Sequence, residues 1–466
     1  MQLASPLFAF LFLPLSLLFL PLCPAKHRKS GMLLISLCFF VLANAQNPLA
    51  FLQIGVVLAF LCALACVPAE KKPRLQLTLG VLLPLSLLIT ARVLTEVIPA
   101  RYTYPMGLGF ICLGGISLSV DRYRGDAPDR DTPLAVAGYL LLFPTLLMGP
   151  LLRYKQYLHV TEGQAPDFAS FSRGALLYML GYVKRIAVAT ILLATLQSVL
   201  SIALNGTPPP VALPFALFLA YFVLYFVVSG TTDMARGLLC MYGLSPTRGQ
   251  GHFFSAVTPH RMLSGLILSL DRFLEDYLAT PLRHRLPSRA GKYVATMAVL
   301  LCTMLFFRTH PAVLLIGAPL LFSALLTASH GRYVRYPRAA WLRAPLCALS
   351  ALCLSFFALS IMLEDPMDVF ALFPSSTQSG DPLSMYRLLV SLSHRHYLML
   401  LLPVLLVIMP LSRYAPKWLS RLPKKANAAL SLTTVLVLFS VFFLTIVYLL
   451  PQFPQYVELT YRKLLS

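Results

Sequence analysis

Long apolar runs separated by short polar loops occupy almost the whole chain. A helix needs roughly 17 to 25 mainly apolar residues to cross the hydrocarbon core of a bilayer. Runs of this kind fall at about 5–22, 31–47, 49–68, 75–96, 105–120, 133–152, 174–204, 211–229, 292–308, 311–329, 340–363, 388–411 and 427–450. Several are short or carry an internal proline or glycine, so the pattern predicts about eleven or twelve true spans plus re-entrant and interfacial pieces. No loop is long enough to form a separate soluble domain, and the chain reads as one all-α polytopic membrane domain, 1–466. Spans in 1–120 precede a central part, 121–330, and further spans follow in 331–466.

The first run, PLFAFLFLPLSLLFLPL, has no basic residue before it and no small-residue cleavage site behind it. A signal peptide has both, so this run is expected to stay as a span with its N-terminus outside. Lys26, Arg28 and Lys29 follow it, and Lys71, Lys72 and Arg74 follow two crossings later. Basic loops facing one side of the membrane are the usual source of orientation.

Composition sharpens this picture. Of 466 residues, 58% are hydrophobic and 12% charged, whereas soluble domains carry about 25% charged residues. The net charge of +21 raises nucleic acid as a partner, but the charges sit in short loops and form no continuous basic face. Further basic loops hold Arg332, Arg335, Arg338 and Arg343, and then Arg413, Lys417, Arg421, Lys424 and Lys425. Between them EDPMDVFALFPSSTQSGD carries only acids and is expected outside. Anionic membrane lipid is the expected partner of the basic loops, with no nucleic acid. The nine cysteines lie mainly in apolar runs without metal-ligand spacing, so no metal is expected.

Four polar groups interrupt the apolar pattern. VDRYRGDAPDRD, 120–131, is dense in charge between two spans. In 140–157, Pro144, Gly149 and Pro150 break a span before Arg153 and Lys155. Such a break survives in lipid only where it packs on protein or lines a cavity. VVSGTTDMARGL, 227–238, puts Asp233 and Arg236 beside an apolar helix. SLDRFLEDYLATPLRHRLP, 269–287, pairs Asp271 with Glu275 and Arg272 with Asp276 at helical spacing, which predicts an amphipathic interfacial helix. Taken singly, the four read as ordinary structure: in turn a charged loop, a helix break, a helix end and a surface helix.

Their order resembles the membrane-bound O-acyltransferase family, in the bacterial branch that acylates exported polymers. FLFLPLSLLFLPLCPAKHRKSGMLLISLCFF is similar to the family's opening span and basic turn. PMGLGFICLGGISLSVDRYRGDAP, FPTLLMGPLLRYKQY, FSRGALLYMLGYVKRIAVA, VVSGTTDMARGLLCMYGL and LDRFLEDYLATPL resemble five further motifs in the family's order. The resemblance covers roughly 1–330 and implies a helical funnel that moves an acyl group from a cytosolic thioester toward an exported polysaccharide. It implies acetyl-CoA as the donor, no bound cofactor, and a location in the bacterial inner membrane with a periplasmic N-terminus. A periplasmic SGNH-type acetyltransferase and a polysaccharide synthase are the implied partners.

His310 in LFFRTHPAVLL falls where the family carries its catalytic histidine. Pro311 disfavours α geometry at His310 and suits the first turn of a following helix, so the imidazole is expected at a helix break. A buried histidine with one hydrogen bond is the plain alternative. The resemblance makes Arg308, Asp233, Asp276 and His330 cavity candidates. Arg153, Lys155, Lys184 and Arg185 are candidates for donor phosphates, or ordinary loop charge. Among the chain's departures from the pattern, the TFQ of the early motif has become CLGG. The tryptophans and glycine around the catalytic histidine are absent, Ile267 stands where another histidine is expected, and Ala324 replaces a third. A scaffold subunit that keeps the fold without the chemistry, and a transporter, therefore stand as alternatives.

Overall fold

The computed structural model describes residues 5–373 apart from short stretches, the longer of which are 68–72, 98–101, 158–167, 205–209, 245–258, 308–312 and 319–342, together with a few positions between 436 and 443. Among the described residues every regular element is helical. The N-terminal half runs α1 (Phe8–Leu22), α2 (Arg28–Asn44), α3 (Pro48–Cys66), α4 (Pro73–Val97), α5 (Leu108–Arg124) and α6 (Pro133–Leu140). Then come α7 (Phe168–Leu204), α8 (Ala212–Met241), α9 (Pro259–Leu266), α10 (Leu268–Leu274), α11 (Thr280–Arg285), α12 (Arg289–Phe307), α13 (Arg343–Met362) and the short α14 (Asp368–Ala371). Among the described residues three helices, Pro73–Thr95 within α4, α7 and α8, are long and apolar enough to cross a membrane, and five shorter apolar helices accompany them. Most apolar runs of the sequence thus became helices, while the runs at 388–411 and 427–450 lie mostly or wholly outside the described residues.

Local chemistry sets the boundaries. Gly107 and Gly125 flank α5 with φ of 88° and 77°, a left-handed geometry that only glycine adopts without strain. The Gly125 N–H closes the last turn onto the carbonyls of Asp121 and Arg122. Thr132 caps α6 by accepting from the Ala135 N–H at 3.3 Å, with Pro133 at the first helical position. The span read at 133–152 is a hairpin instead of a helix. It stops after Leu140, passes through a tight 3₁₀ turn, Phe143–Thr145, and doubles back so that the Leu152 carbonyl accepts from the Tyr139 hydroxyl at 2.8 Å. Gly149 permits the return, because a Cβ there would meet the Pro144 carbonyl at 2.2 Å.

At the centre α8 is buried along nearly its full length against antiparallel α7. Gly174 faces Gly237 and Gly181 faces Gly230, and a Cβ at any of the four would approach the opposing backbone to between 2.5 and 2.9 Å. Lipid gives no hydrophobic drive for helix pairing, so backbone approach at small residues supplies the contact. The hairpin tip is held by aromatic rings, with Phe143 against Phe39 at 5.2 Å, Tyr242 at 5.6 Å and Phe12 at 5.9 Å.

Candidate functional site

Two polar clusters join the groups that the sequence had left scattered. The first forms at the C-terminal end of α5. Ser117 and Asp121 are four apart and share one helix face. Asp121 is 1% exposed and accepts from the Tyr277 hydroxyl at 2.6 Å. Ser117 Oγ lies 2.8 Å from the same hydroxyl, and the Tyr154 N–H donates to it at 3.3 Å. Helix α5, the hairpin return and the interfacial segment therefore meet at one serine. Burial above all, then the bond to Asp121, pushes the Tyr277 phenol well above its usual range, so it stays a donor.

Cations surround this knot. Arg153 on the hairpin return pairs with Asp276. Arg124 donates to the Asp276 carbonyl at 3.0 Å and lies 5.3 Å over the Tyr277 ring. Arg122 donates to the carbonyls of Leu64 and Val67 at 3.0 and 2.8 Å, capping the C-terminal end of α3. Asp276 and Tyr277 are consecutive, yet both engage this junction because the chain makes a π-helical turn at Glu275–Ala279.

The second cluster lies between α7 and α8. Lys184 Nζ is 2.6 Å from Asp233 Oδ2 and 3.3 Å from Ser229 Oγ, and Arg236 reaches Asp233 Oδ1 at 3.5 Å. Arg185, 5% exposed, donates to Thr231 at 3.0 Å. A second π-helical turn, Val183–Val188, turns the adjacent Lys184 and Arg185 toward the same helix. Asp233, 6% exposed, thus serves two cations at once.

The candidates are therefore sorted by contact. Arg153 and Asp276 form one pair, and Lys184 and Asp233 form another, so each pairs an expected donor-binding cation with an expected cavity acid. Lys155, Arg308, His310 and His330 lie outside the described residues. Helix α12, which leads toward His310, packs its Phe306 ring on Phe110 of α5 at 5.5 Å. Asp121 is about 16 Å farther along α5 by helical rise, so the Asp276 knot and the end of α12 occupy opposite ends of that helix.

Sequence reasoning passed over Arg92. This side chain, 8% exposed, donates to the Phe306 carbonyl at 3.0 Å and stacks 4.2 Å over the Tyr104 ring. An arginine inside the apolar run of α4 was the available signal. Ile267, at the break between α9 and α10, is 2% exposed and apolar where the resemblance expects a histidine.

No family model matches the chain. It is similar to proteins described as probable alginate O-acetylase AlgI. That of Pseudomonas syringae pv. tomato is 27% identical over 323 residues, covering 66% of this chain and 61% of the relative. The Azotobacter vinelandii protein is 26% identical over 299 residues, 60% of this chain and 59% of its own length. The Pseudomonas aeruginosa protein is 26% identical over 297 residues, 60% of this chain and 56% of its own length. The chain thus spans about three fifths of the relatives it matches.

Proposed function

We propose that this chain is a divergent, AlgI-like member of the membrane-bound O-acyltransferase family and that it transfers an acyl group, acetyl by preference, from a cytosolic thioester toward the hydroxyls of an exported polysaccharide. The observation that carries this reading is the convergence of its ordered motifs. Segments around 121, 153 and 276 fold onto one knot, and those around 184 and 233 onto one ion cluster.

In the proposed reaction a hydroxyl oxygen attacks the thioester carbonyl carbon and the carbon–sulfur bond breaks. A base takes the hydroxyl proton, and the thiol leaves with it. His310 is the proposed base, since a neutral imidazole accepts a proton at working pH. Acetyl-CoA is the proposed donor. Arg153, with Lys155 in its neighbourhood in sequence, is proposed to meet the donor's phosphates, and Lys184 and Arg185 to hold α7 to α8. A bacterial inner membrane with a periplasmic N-terminus, a periplasmic SGNH-type acetyltransferase and a polysaccharide synthase complete the proposed setting.

Buried Ile267 favours one competing reading, a scaffold subunit that retains the fold without transferring acyl groups. Membranes containing the protein and its polymer-making partners, supplied with labelled acetyl-CoA, separate the two. Label on polymer or on an intermediate supports transfer, and none with every partner present supports the scaffold.

A further inference from the structure

Two arginines from distant parts of the chain converge on one interfacial residue. Arg153 pairs with the Asp276 carboxylate, and Arg124 holds the Asp276 carbonyl at 3.0 Å. The paired side chains keep 21% and 33% of their exposure, and Arg124 is exposed. The Lys184 pair differs, since its carboxylate is only 6% exposed. An ion pair that keeps this much contact with water is screened more than the Lys184 pair and adds less stability. A guanidinium, however, binds phosphate as readily as carboxylate and with the same forked geometry. Asp276 thus stands where a phosphate oxygen would stand.

The backbone around Asp276 is fixed independently of its carboxylate. Arg124 grips its carbonyl, and the next residue, Tyr277, is tied to buried Asp121. Rotation of one acidic side chain is therefore enough to release Arg153, with no helix displaced. We propose that Arg124 and Arg153 form a phosphate-binding site at the junction of α5, the hairpin and the interfacial segment, and that the Asp276 carboxylate occupies Arg153 until a phosphate replaces it. This deepens the transferase reading and rests on it for the ligand, the phosphates of a coenzyme A thioester. A lipid phosphate has the same chemistry.

The test uses the full chain in nanodiscs of zwitterionic lipid, titrated with coenzyme A and with adenosine 3′,5′-bisphosphate. Asp276→Asn removes the competing charge and is expected to tighten both by about 1.5- to fivefold, the range set by a partly exposed ion pair. Arg153→Gln and Arg124→Gln are expected to weaken both by at least about fivefold, as loss of a charge-assisted contact does. Melting curves confirm that each variant is folded, and Asp276→Ala serves as the second carboxylate deletion. In nanodiscs with added anionic lipid, greater lipid retention by Asp276→Asn without a change for coenzyme A supports the site and assigns it to lipid phosphate. Unchanged binding of every probe in both carboxylate variants overturns the proposal. Tighter binding of the bisphosphate without acetyl transfer keeps the site and removes the transferase reading, and the reverse result does the opposite.

Discussion

At the scale of single residues, Tyr277 makes the most exacting contacts in the described structure. Its phenol joins buried Asp121 at 2.6 Å and Ser117 at 2.8 Å. Tyr277→Phe keeps the ring and removes the donor, at an expected cost of about 1–3 kcal/mol for a buried carboxylate that loses it. Thermal unfolding in detergent measures this, and an unchanged midpoint would show the bond to be idle. The same residue predicts a pH dependence. Folding raises the phenol, so its contribution is complete below about pH 10, the unfolded value, and is lost as pH climbs toward the folded one. Stability of the parent protein should fall more steeply above that pH than stability of Tyr277→Phe, and equal slopes would contradict it. Arg92 marks what residue-level reading missed. Its partner is the backbone carbonyl of Phe306, and no side-chain pattern advertises such an acceptor.

Among the elements, α7 and α8 carry the tightest packing and the sharpest prediction. Gly181→Val or Gly230→Val would set side-chain carbon against backbone that a bare Cβ already meets at 2.5 to 2.7 Å. Both variants should lose most folded protein on size-exclusion chromatography. Gly55→Ala is the control, with nothing within 4 Å of its added carbon. One turn away, Asp233→Ala leaves Lys184 and Arg236 without their shared carboxylate. The expected cost is about 2–4 kcal/mol, below the fully buried case because Lys184 keeps some solvent. Lys184→Met combined with Asp233→Leu should recover part of that loss, and strictly additive losses would refute the coupling. The helix positions in the apolar runs, and the break at Pro144 and Gly149 though not the chain reversal it makes, were legible. The pairing of Lys184 with Asp233 was not. Sequence spacing gives neighbours within one helix, whereas this pair joins two helices 49 residues apart in the chain, beside a π-helical turn, Val183–Val188.

For the molecule as a whole, order along the chain was more informative than any motif alone. VDRYRG, LLRYKQY and LEDYLATPL each read as loop or surface helix, yet Asp121, Arg153 and Asp276 meet in one junction. The roles within that junction were less legible. Arg153 and Asp276 read as members of separate sites, because sequence gives charge and position but not which charges neutralise each other. The clusters account for how the described helices are held together, while the proposed chemistry rests on His310 and its place in the resemblance. The central claim is therefore tested most directly by acyl transfer from labelled acetyl-CoA, comparing the parent protein with His310→Ala in membranes that hold the polymer-making partners. The account predicts label on the acceptor with the parent, and a loss of about a hundredfold or more with the variant, in keeping with removal of a general base. Equal labelling by a folded His310→Ala protein, or none by the parent, would contradict it.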